Sequence, residues 1–346
     1  MIRANPYSYE LPEDRIAQRP AHPPESAKML VVSRASGEIQ HRTFDDIVDY
    51  IRPGDHFVFN NTKVIPARLF GKLEGPDGYE IEVVLLEEVE RHKWTALGFA
   101  MRKIRAAEKL FFSESLQALV LPAPTDDRLL LRFNAASEDE IERLLNDHGT
   151  MPIPPYIRHG RGDEQDRSDY QSIFAVHPGS VAAPTASLHF TERLINRMKE
   201  EAQCKIDHVT LHVGTASFQP IFVNGQLRKP GQERFVVSAA VMDSLLETKA
   251  RGGRVIAVGT TVVRALESAA LSEKPSDSLE STELFIEPGF QFNIVDNLVT
   301  NFHQPKTTHL LLVEALLGFD RLHSSYQEAL NNQYRFLSYG DGMFVL

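Results

Sequence analysis

Short apolar runs punctuated by Gly, Pro and Asn clusters set the rhythm of this chain. Lys28-Met29-Leu30-Val31-Val32-Ser33 has no polar break at its centre and reads as a buried strand, with Gly37 supplying the following turn. Thr43, with Asp46 three positions on, predicts a capped helix through Ile51 that Pro53-Gly54 stops. His56-Phe57-Val58-Phe59 is the next strand and runs into the turn-forming cluster Asn60-Asn61-Thr62. Between residues 69 and 133 β-prone runs recur at Tyr79 to Leu86, Trp94 to Gly98, Lys109 to Phe112, Leu116 to Leu121 and Arg128 to Phe133, with no helical pattern between them. Five or six strands at that spacing predict a small barrel.

Ser137 and Glu140, placed before Ile141, Leu144 and Leu145 and closed by Gly149, predict a capped helix. The stretch Met151 to Tyr170, rich in proline and then in charge, is expected to be an exposed loop. From Thr191 helices and strands alternate. Helical patterns fall at Glu192 to Ala202, Ser238 to Ala250, Val262 to Leu271, Thr307 to Leu317 and Leu322 to Tyr334, with strands at Ile206 to Val213 and Arg254 to Val258. The fold class expected is mixed α/β, with a main domain of residues 1–68 and 134–346 and an inserted small β-barrel domain of residues 69–133.

Composition narrows the function classes. The 346 residues carry 47 Asp plus Glu against 37 Lys plus Arg, so attraction of the whole molecule to nucleic acid is not expected and any RNA contact needs a local basic face. Arg102, Lys103, Arg105 and Lys109 form one such cluster, and Arg228, Lys229 and Arg234 another. The single Cys204 excludes an intrachain disulfide and argues against a zinc ribbon, and a reducing cytoplasm is the expected compartment. No window approaches the roughly 20 apolar residues of a membrane span, and Met1 to Arg19 lacks the apolar core of a signal peptide.

Candidate chemistry gathers where apolar elements end. In Asp207 to Gly214 the strand period puts His208, Thr210 and His212 on one face and Val209, Leu211 and Val213 on the other, and Gly214-Thr215-Ala216-Ser217 follows at once. No third ligand sits at a metal-like offset, so no metal is expected. Val255-Ile256-Ala257-Val258 followed by Gly259-Thr260-Thr261 and a helix is a strand-turn-helix unit, whose helix start favours an anion or is simply capped by a threonine. Arg264 and Glu267 fall on that helix, facing a common ligand or each other. Ala182-Ala183-Pro184-Thr185-Ala186-Ser187 carries almost no side-chain bulk ahead of His189 and Phe190, which suits a flat ligand such as a purine or tight backbone packing. Asn301 and His303 alternate onto one face of Thr300 to His303. There is no P-loop, no G-x-S-x-G, no H-E-x-x-H and no G-x-G-x-x-G, so phosphoryl transfer and zinc hydrolysis recede.

Taken together, Gly179 to Phe190, Val209 to Gly214, Val255 to Thr261 and Leu298 to His303 resemble the S-adenosylmethionine:tRNA ribosyltransferase-isomerase family of queuosine biosynthesis. The likeness extends to Ala17-Gln18-Arg19-Pro20, Phe59-Asn60-Asn61-Thr62-Lys63-Val64-Ile65-Pro66-Ala67-Arg68-Leu69, Met151 to Ile157 and Tyr334 to Asp341. It implies an enzyme that moves the ribosyl part of S-adenosylmethionine onto 7-aminomethyl-7-deazaguanine in tRNA, giving epoxyqueuosine and releasing adenine and methionine. It implies no metal and no cofactor beyond S-adenosylmethionine as co-substrate, with tRNA as partner, no membrane and a monomeric chain.

Such a reaction needs a base beside the sulfonium and an acid for departing adenine. The resemblance points to His189, His212 and His303 for proton transfer, to Thr260 and Thr261 for the methionine carboxylate, and to Ala182, Ala183, Pro184 and Thr185 against the nucleoside. Asn60, Asn61, Arg68, Arg264, Glu267 and Asn301 complete the implied substrate-binding set. The chain departs from the family pattern near Pro24, near Phe99 and near Gln232, and at Ser187 and Val262. The losses near Phe99 and Gln232 favour the alternative of a divergent paralogue that binds a nucleoside or RNA without this chemistry, whereas the intact segments around His189, Thr260 and His303 favour the enzyme.

Overall fold

The computed structural model describes residues 7–123, 125, 127–135, 137–214, 222–223, 226–227, 231–272 and 277–346. It divides into two compact units, one of residues 1–62, 171–177 and 183–346, the other of residues 63–170 and 178–182. The first is built on a nine-stranded sheet. The strands His56–Asn60, Lys205–His212, Val255–Val258 and Asn297–Asn301 form a parallel block within it. Gly342–Val345 then pairs antiparallel to Asn297–Asn301 and parallel to Lys28–Val32.

Three strands of this block or its neighbour, His56–Asn60, Val255–Val258 and Gly342–Val345, are buried at every position, and so is Asn297–Asn301. Strands covered on both faces favour apolar residues, which is why Phe57 to Phe59 and Val255 to Val258 show continuous runs in place of alternation, while the buried polar residues fall at strand ends such as Asn60 and Asn301. On one face Phe57, Phe59, Ile256, Val258 and Val299 pack with Phe44, Phe190, Leu194 and Met198. Leu194 and Met198 come from the helix Glu192–Glu200, whose cap residue Thr191 accepts from the Leu194 amide at 3.3 Å. The predicted helix after Thr43 is a 3-10 helix, Phe44–Tyr50, tied by Asp46, which accepts from both the Thr43 amide and its hydroxyl at 2.8 Å. The remaining helices of this unit form close to their predicted places: Ala239–Ala250, Thr260–Leu271, Thr308–Leu317 and Phe319–Asn331.

The second unit carries a closed six-stranded barrel of Arg68–Leu73, Glu80–Glu90, Lys93–Gly98, Lys109–Phe111, Gln117–Leu121 and Leu129–Phe133. Leu129, Leu131 and Phe133 turn inward while Arg132 turns out, so strand alternation fills the barrel with Leu69, Val83, Leu85, Ala96, Leu110 and Ala118. This unit runs past the strand-rich stretch 69–133 because the helix Glu138–His148 adds Ile141, Leu144 and Leu145 to the same core. Its cap Ser137 accepts from the Glu140 amide at 3.2 Å.

Two expectations for this unit need correction. A short helix, Met101–Ala106, stands among the barrel strands where no helix was expected; Ala100 enters it at φ 67° and Ile104 drops into the barrel core. One buried side chain and one left-handed residue make it, too little to leave a periodic signature. The stretch Met151 to Tyr170 is not an exposed loop either. Met151, Ile153, Ile157 and Tyr170 are buried, and the wholly buried Asp166 accepts from Arg158 at 2.6 Å and from the Asp163 amide at 2.7 Å. Proline prevents regular ladders there without preventing apolar burial.

Candidate active site at the strand carboxyl ends

Because the four parallel strands share one direction, the residues that follow Asn60, His212, Val258 and Asn301 emerge at the same edge of the sheet. The strand Lys205–His212 lies on one flank of His56–Asn60, and the next parallel strand in the chain, Val255–Val258, lies on the other. The path of the chain reverses at His56–Asn60, the position where open α/β sheets place a crevice for ligands.

Asn60 holds this edge together. It donates to the Leu211 carbonyl at 2.9 Å, accepts from the Leu211 and Thr62 amides at 3.1 Å, and reaches Thr261 Oγ1 at 3.3 Å. Asn61 accepts from the Thr210 hydroxyl at 2.7 Å, so both asparagines are tied to the scaffold by bonds that position neighbouring strands. His212 Nδ1 lies 2.9 Å from Thr62 Oγ1. Burial, then Arg234 and His177, lower its pKa to about 4. Thr210 is buried too, so the polar face of that strand meets protein hydroxyls and amides in place of bulk water.

After Val258 the chain turns at Gly259, φ 99°, where a side chain would meet Ala186 at 3.7 Å. The positive φ is what favours glycine there, since a Cβ would make only ordinary contact with Ala186. The helix begins at Thr260, two residues before its predicted start, and no side chain caps it. Threonine capping is therefore not its explanation, and its first-turn amides carry the partial positive charge of a helix start.

Arg264 and Glu267 pair neither with each other nor with one ligand. Arg264 is bonded to Glu233 and donates from Nε to the Leu284 carbonyl at 3.1 Å. Glu267 is fully buried and accepts from the Asn293, Ile294 and Val295 amides at 2.8, 3.0 and 2.9 Å, which makes it a clasp for a loop.

Thr185, Asn301 and His189 form a second connected group. The Thr185 hydroxyl donates to Asn301 Oδ1 at 3.0 Å, and Asn301 Nδ2 lies 3.3 Å from His189 Nε2. His189 stacks on Phe44 with ring centroids 3.9 Å apart. Burial, then Arg335, lower its pKa to about 3, so the ring is neutral with its Nε2 lone pair taken by the Asn301 amide. Of the small-residue segment, Ala183, Pro184 and Thr185 belong to the sheet unit, whereas Ala182 belongs to the barrel unit. Arg68 also lies in the barrel unit, bridged to Glu82 at 3.1 Å and donating to the Ile153 carbonyl at 3.3 Å.

His303 sits past the end of Asn297–Asn301 with Nε2 2.8 Å from Thr300 Oγ1 and its ring stacked on His309 at 4.8 Å. Its backbone is gripped from both sides, since its amide donates to the Tyr326 hydroxyl at 2.9 Å and its carbonyl accepts from Tyr9. Burial, then the neighbouring His309, hold its pKa well below the usual histidine range. His309 is itself lowered to about 4, by burial and then Arg264. A cavity beside these rings is lined by Glu233, Thr260, Thr261, Arg264, Thr308 and His309 with Leu284, Phe285, Ile286 and Leu312.

Glu233 and His309 are the members of this wall that sequence reasoning missed. Glu233 lies 31 residues from Arg264 and is marked by no local pattern, whereas His309 is only six residues from the His303 ring it stacks on and sits one position inside the helix Thr308–Leu317. Of the basic clusters, Arg102, Lys103 and Arg105 are exposed on the barrel unit, with Lys103 Nζ 3.6 Å over the Tyr79 ring. Arg228, Lys229, Thr215, Ala216 and Ser217 lie outside the described residues. Among the described residues no group of three His, Cys, Asp or Glu side chains is arranged to hold a metal ion, and no helix is long and apolar enough to cross a membrane.

The fold and this edge define an α/β protein with histidines, hydroxyls and amides gathered at the strand carboxyl ends, and a β-barrel unit. The chain belongs to the queuosine biosynthesis protein family, whose model it matches over residues 4–345. It is 40% identical over the full length of both chains to the S-adenosylmethionine:tRNA ribosyltransferase-isomerase of Halothermothrix orenii. It is 44% identical to the enzyme of that name from Ruegeria pomeroyi, over 100% of this chain and 99% of that one. Among solved structures it is similar to the S-adenosylmethionine tRNA ribosyltransferase of Thermotoga maritima, with a TM-score of 0.57 and 33% identity, covering 99% of this chain and 100% of that chain.

Proposed function

We infer that this protein is an S-adenosylmethionine:tRNA ribosyltransferase-isomerase. It moves the ribosyl moiety of S-adenosylmethionine onto 7-aminomethyl-7-deazaguanine in tRNA, forms epoxyqueuosine, and releases adenine and methionine. Full-length similarity to enzymes of that name supports the activity. The observation that carries the site is His309 on the wall of the cavity at the start of the helix Thr260–Leu271, with His303 stacked against it.

The chemistry starts with a proton on the carbon beside the positive sulfur, which the sulfonium acidifies. A neutral imidazole whose lone pair is free accepts it, and the depressed pKa of His303 makes the resulting imidazolium a strong acid, ready to deliver that proton to departing adenine. Methionine leaves with the sulfur electron pair. His303 is preferred for this role over His189, because the Asn301 amide can only donate to His189 Nε2 and so takes its lone pair, whereas the Thr300 hydroxyl can accept from His303 Nε2 and leave Nδ1 basic; His212 is the other candidate at the edge. Asn60, Asn61 and Asn301 position the edge, while Ala183, Pro184 and Thr185 offer the nucleoside a surface of little bulk. Burial of His189 and the partial burial of His212 and His303 limit water at the ylide formed at that carbon.

Within this reading no metal or second cofactor takes part, the enzyme works in the cytoplasm as a monomer, and the exposed Arg102, Lys103 and Arg105 meet tRNA phosphates. The test is incubation of the purified protein with S-adenosylmethionine and tRNA carrying the aminomethyl-deazaguanine. Adenine released only with that tRNA is the expected result. Binding of S-adenosylmethionine without adenine release would leave the paralogue without the chemistry.

A further inference from the structure

The outer face of the barrel carries aromatic rings that no core explains. Phe70, Tyr79 and Phe99 are 54%, 52% and 80% exposed. Leu69, Ile81 and Val83 turn into the barrel core, so by strand alternation Phe70 and Glu82, opposed in register, turn out together. The Phe99 amide donates to the Glu82 carbonyl at 2.9 Å, which continues the same cross-strand row just past the end of Lys93–Gly98. Phe70 and Phe99 thus flank Glu82, two strand spacings or about 10 Å apart along the row. Ala100, held at φ 67°, then starts the helix Met101–Ala106, whose Arg105 donates to the Arg128 carbonyl at 3.1 Å and anchors it. From that helix Lys103 Nζ lies 3.6 Å over the Tyr79 ring, and Arg102 is exposed beside it. Single exposed apolar residues are ordinary on a protein surface, whereas three aromatics joined to two cations on adjoining strands form a patch. Glu82 is bridged to Arg68 at 3.1 Å and Glu80 stands opposite Lys72, so the strand carboxylates here are answered by neighbours.

We propose that this face is a stacking platform for unpaired nucleotides of tRNA: Phe70 and Phe99 take the flat faces of bases, while Arg102 and Lys103 take the phosphates beside them. The proposal rests on the reading above that tRNA is the partner, and adds the form of RNA that the barrel meets. Every base has a π-face, so exposed rings hold unpaired nucleotides whatever their sequence, and neighbouring cations track the backbone. A duplex keeps its base faces inside its own stack and can engage only the cations. Because the whole chain has a formal net charge of −10, two cations alone would grip RNA weakly and only at low salt; stacking supplies the part of the affinity that salt does not screen.

The test measures binding of tRNA carrying the aminomethyl-deazaguanine, and of an RNA duplex of similar charge, by fluorescence anisotropy over a range of salt on wild type, Phe70→Ala, Phe99→Ala and Phe99→Trp. Each alanine variant is expected to weaken tRNA binding by about 10-fold with the slope of log affinity against log salt unchanged, and to bind the duplex as wild type does. Phe99→Trp is expected to keep wild-type affinity, because it restores a flat ring. Both phenylalanines are exposed, so the variants should melt with wild type. A loss below about 2-fold in both alanine variants, or a loss shared equally by tRNA and duplex, would overturn the proposal. So would a wild-type protein that sediments as a dimer while Phe99→Ala sediments as a monomer, since the face would then belong to a second copy of the chain. Adenine release by wild type separates the platform from the reading it rests on. Turnover with tRNA affinity indifferent to both phenylalanines removes the platform alone, whereas Phe99-dependent tRNA binding without turnover removes the reaction and keeps the platform.

Discussion

Replacing Glu267 by Ala distinguishes a ligand contact from a scaffold clasp. The carboxylate has no exposed surface and answers the amides of Asn293, Ile294 and Val295 as well as Asn293 Nδ2 at 3.3 Å. Ile294 and Val295 are 2% and 3% exposed, so water cannot replace the lost acceptor for their amides, whereas Asn293 is exposed and its amide can be rehydrated. Two stranded buried donors at about 1–3 kcal/mol each give a loss of about 2–6 kcal/mol, with about 4 kcal/mol as the working value. At about 1.4 °C per kcal/mol for a chain of this size, the melting temperature should fall by about 5–6 °C. Thermal unfolding followed by calorimetry, with S-adenosylhomocysteine affinity measured well below the transition, reads both arms. A variant that melts within about 2 °C of wild type while losing nucleoside affinity would refute the clasp and return Glu267 to the ligand.

Acid should destabilise this protein early. His189, His212 and His309 have folded pKa values lowered to about 3, 4 and 4, below the about 6.5 of an unfolded chain, so the unfolded state takes up protons first as pH falls. Their contribution is complete above pH about 6.5 and is lost progressively down to about 4, at up to about 1.4 kcal/mol per pH unit for each ring; urea midpoints measured from pH 7.5 to 4.5 should decline, and a flat profile would contradict the burial of neutral imidazoles. His303→Ala removes one hydrogen bond and one ring stack, so it should cost about 1–2 kcal/mol in stability yet lower turnover by more than about 100-fold, and wild-type turnover would dismiss His303 as the base. Asn301→Leu keeps the volume but strands the Leu337 carbonyl, the Thr185 hydroxyl and the His189 ring nitrogen; a melting shift under about 2 °C would mean these bonds do not order the edge.

What the chain states locally was legible from its residues. Ser137, Thr191 and Ser238 cap their helices through amides three positions on, a contact decided within one turn. The runs at Phe57 and Val255 are strands because a sheet covered on both faces favours apolar side chains, and the barrel strand Leu129–Phe133 shows the alternation of a half-buried one. The six-residue helix at Met101 and the packed segment after Met151 escaped notice for the complementary reason: one buried isoleucine makes no period, and proline content describes hydrogen bonding, not exposure.

The candidate site follows the same division. Sequence alone determined that small residues, hydroxyls and imidazoles follow Asn60, His212, Val258 and Asn301, and those motifs carried the family resemblance. Tertiary structure decided their duties. Parallel pairing brought those chain positions to one edge, a remote Glu233 turned Arg264 toward a cavity, a loop absorbed Glu267, and His309 came to lie on His303. The physical reason is that a side chain's chemical type is local, whereas its charge state, partners and access depend on burial and on neighbours that the chain supplies from tens or hundreds of residues away.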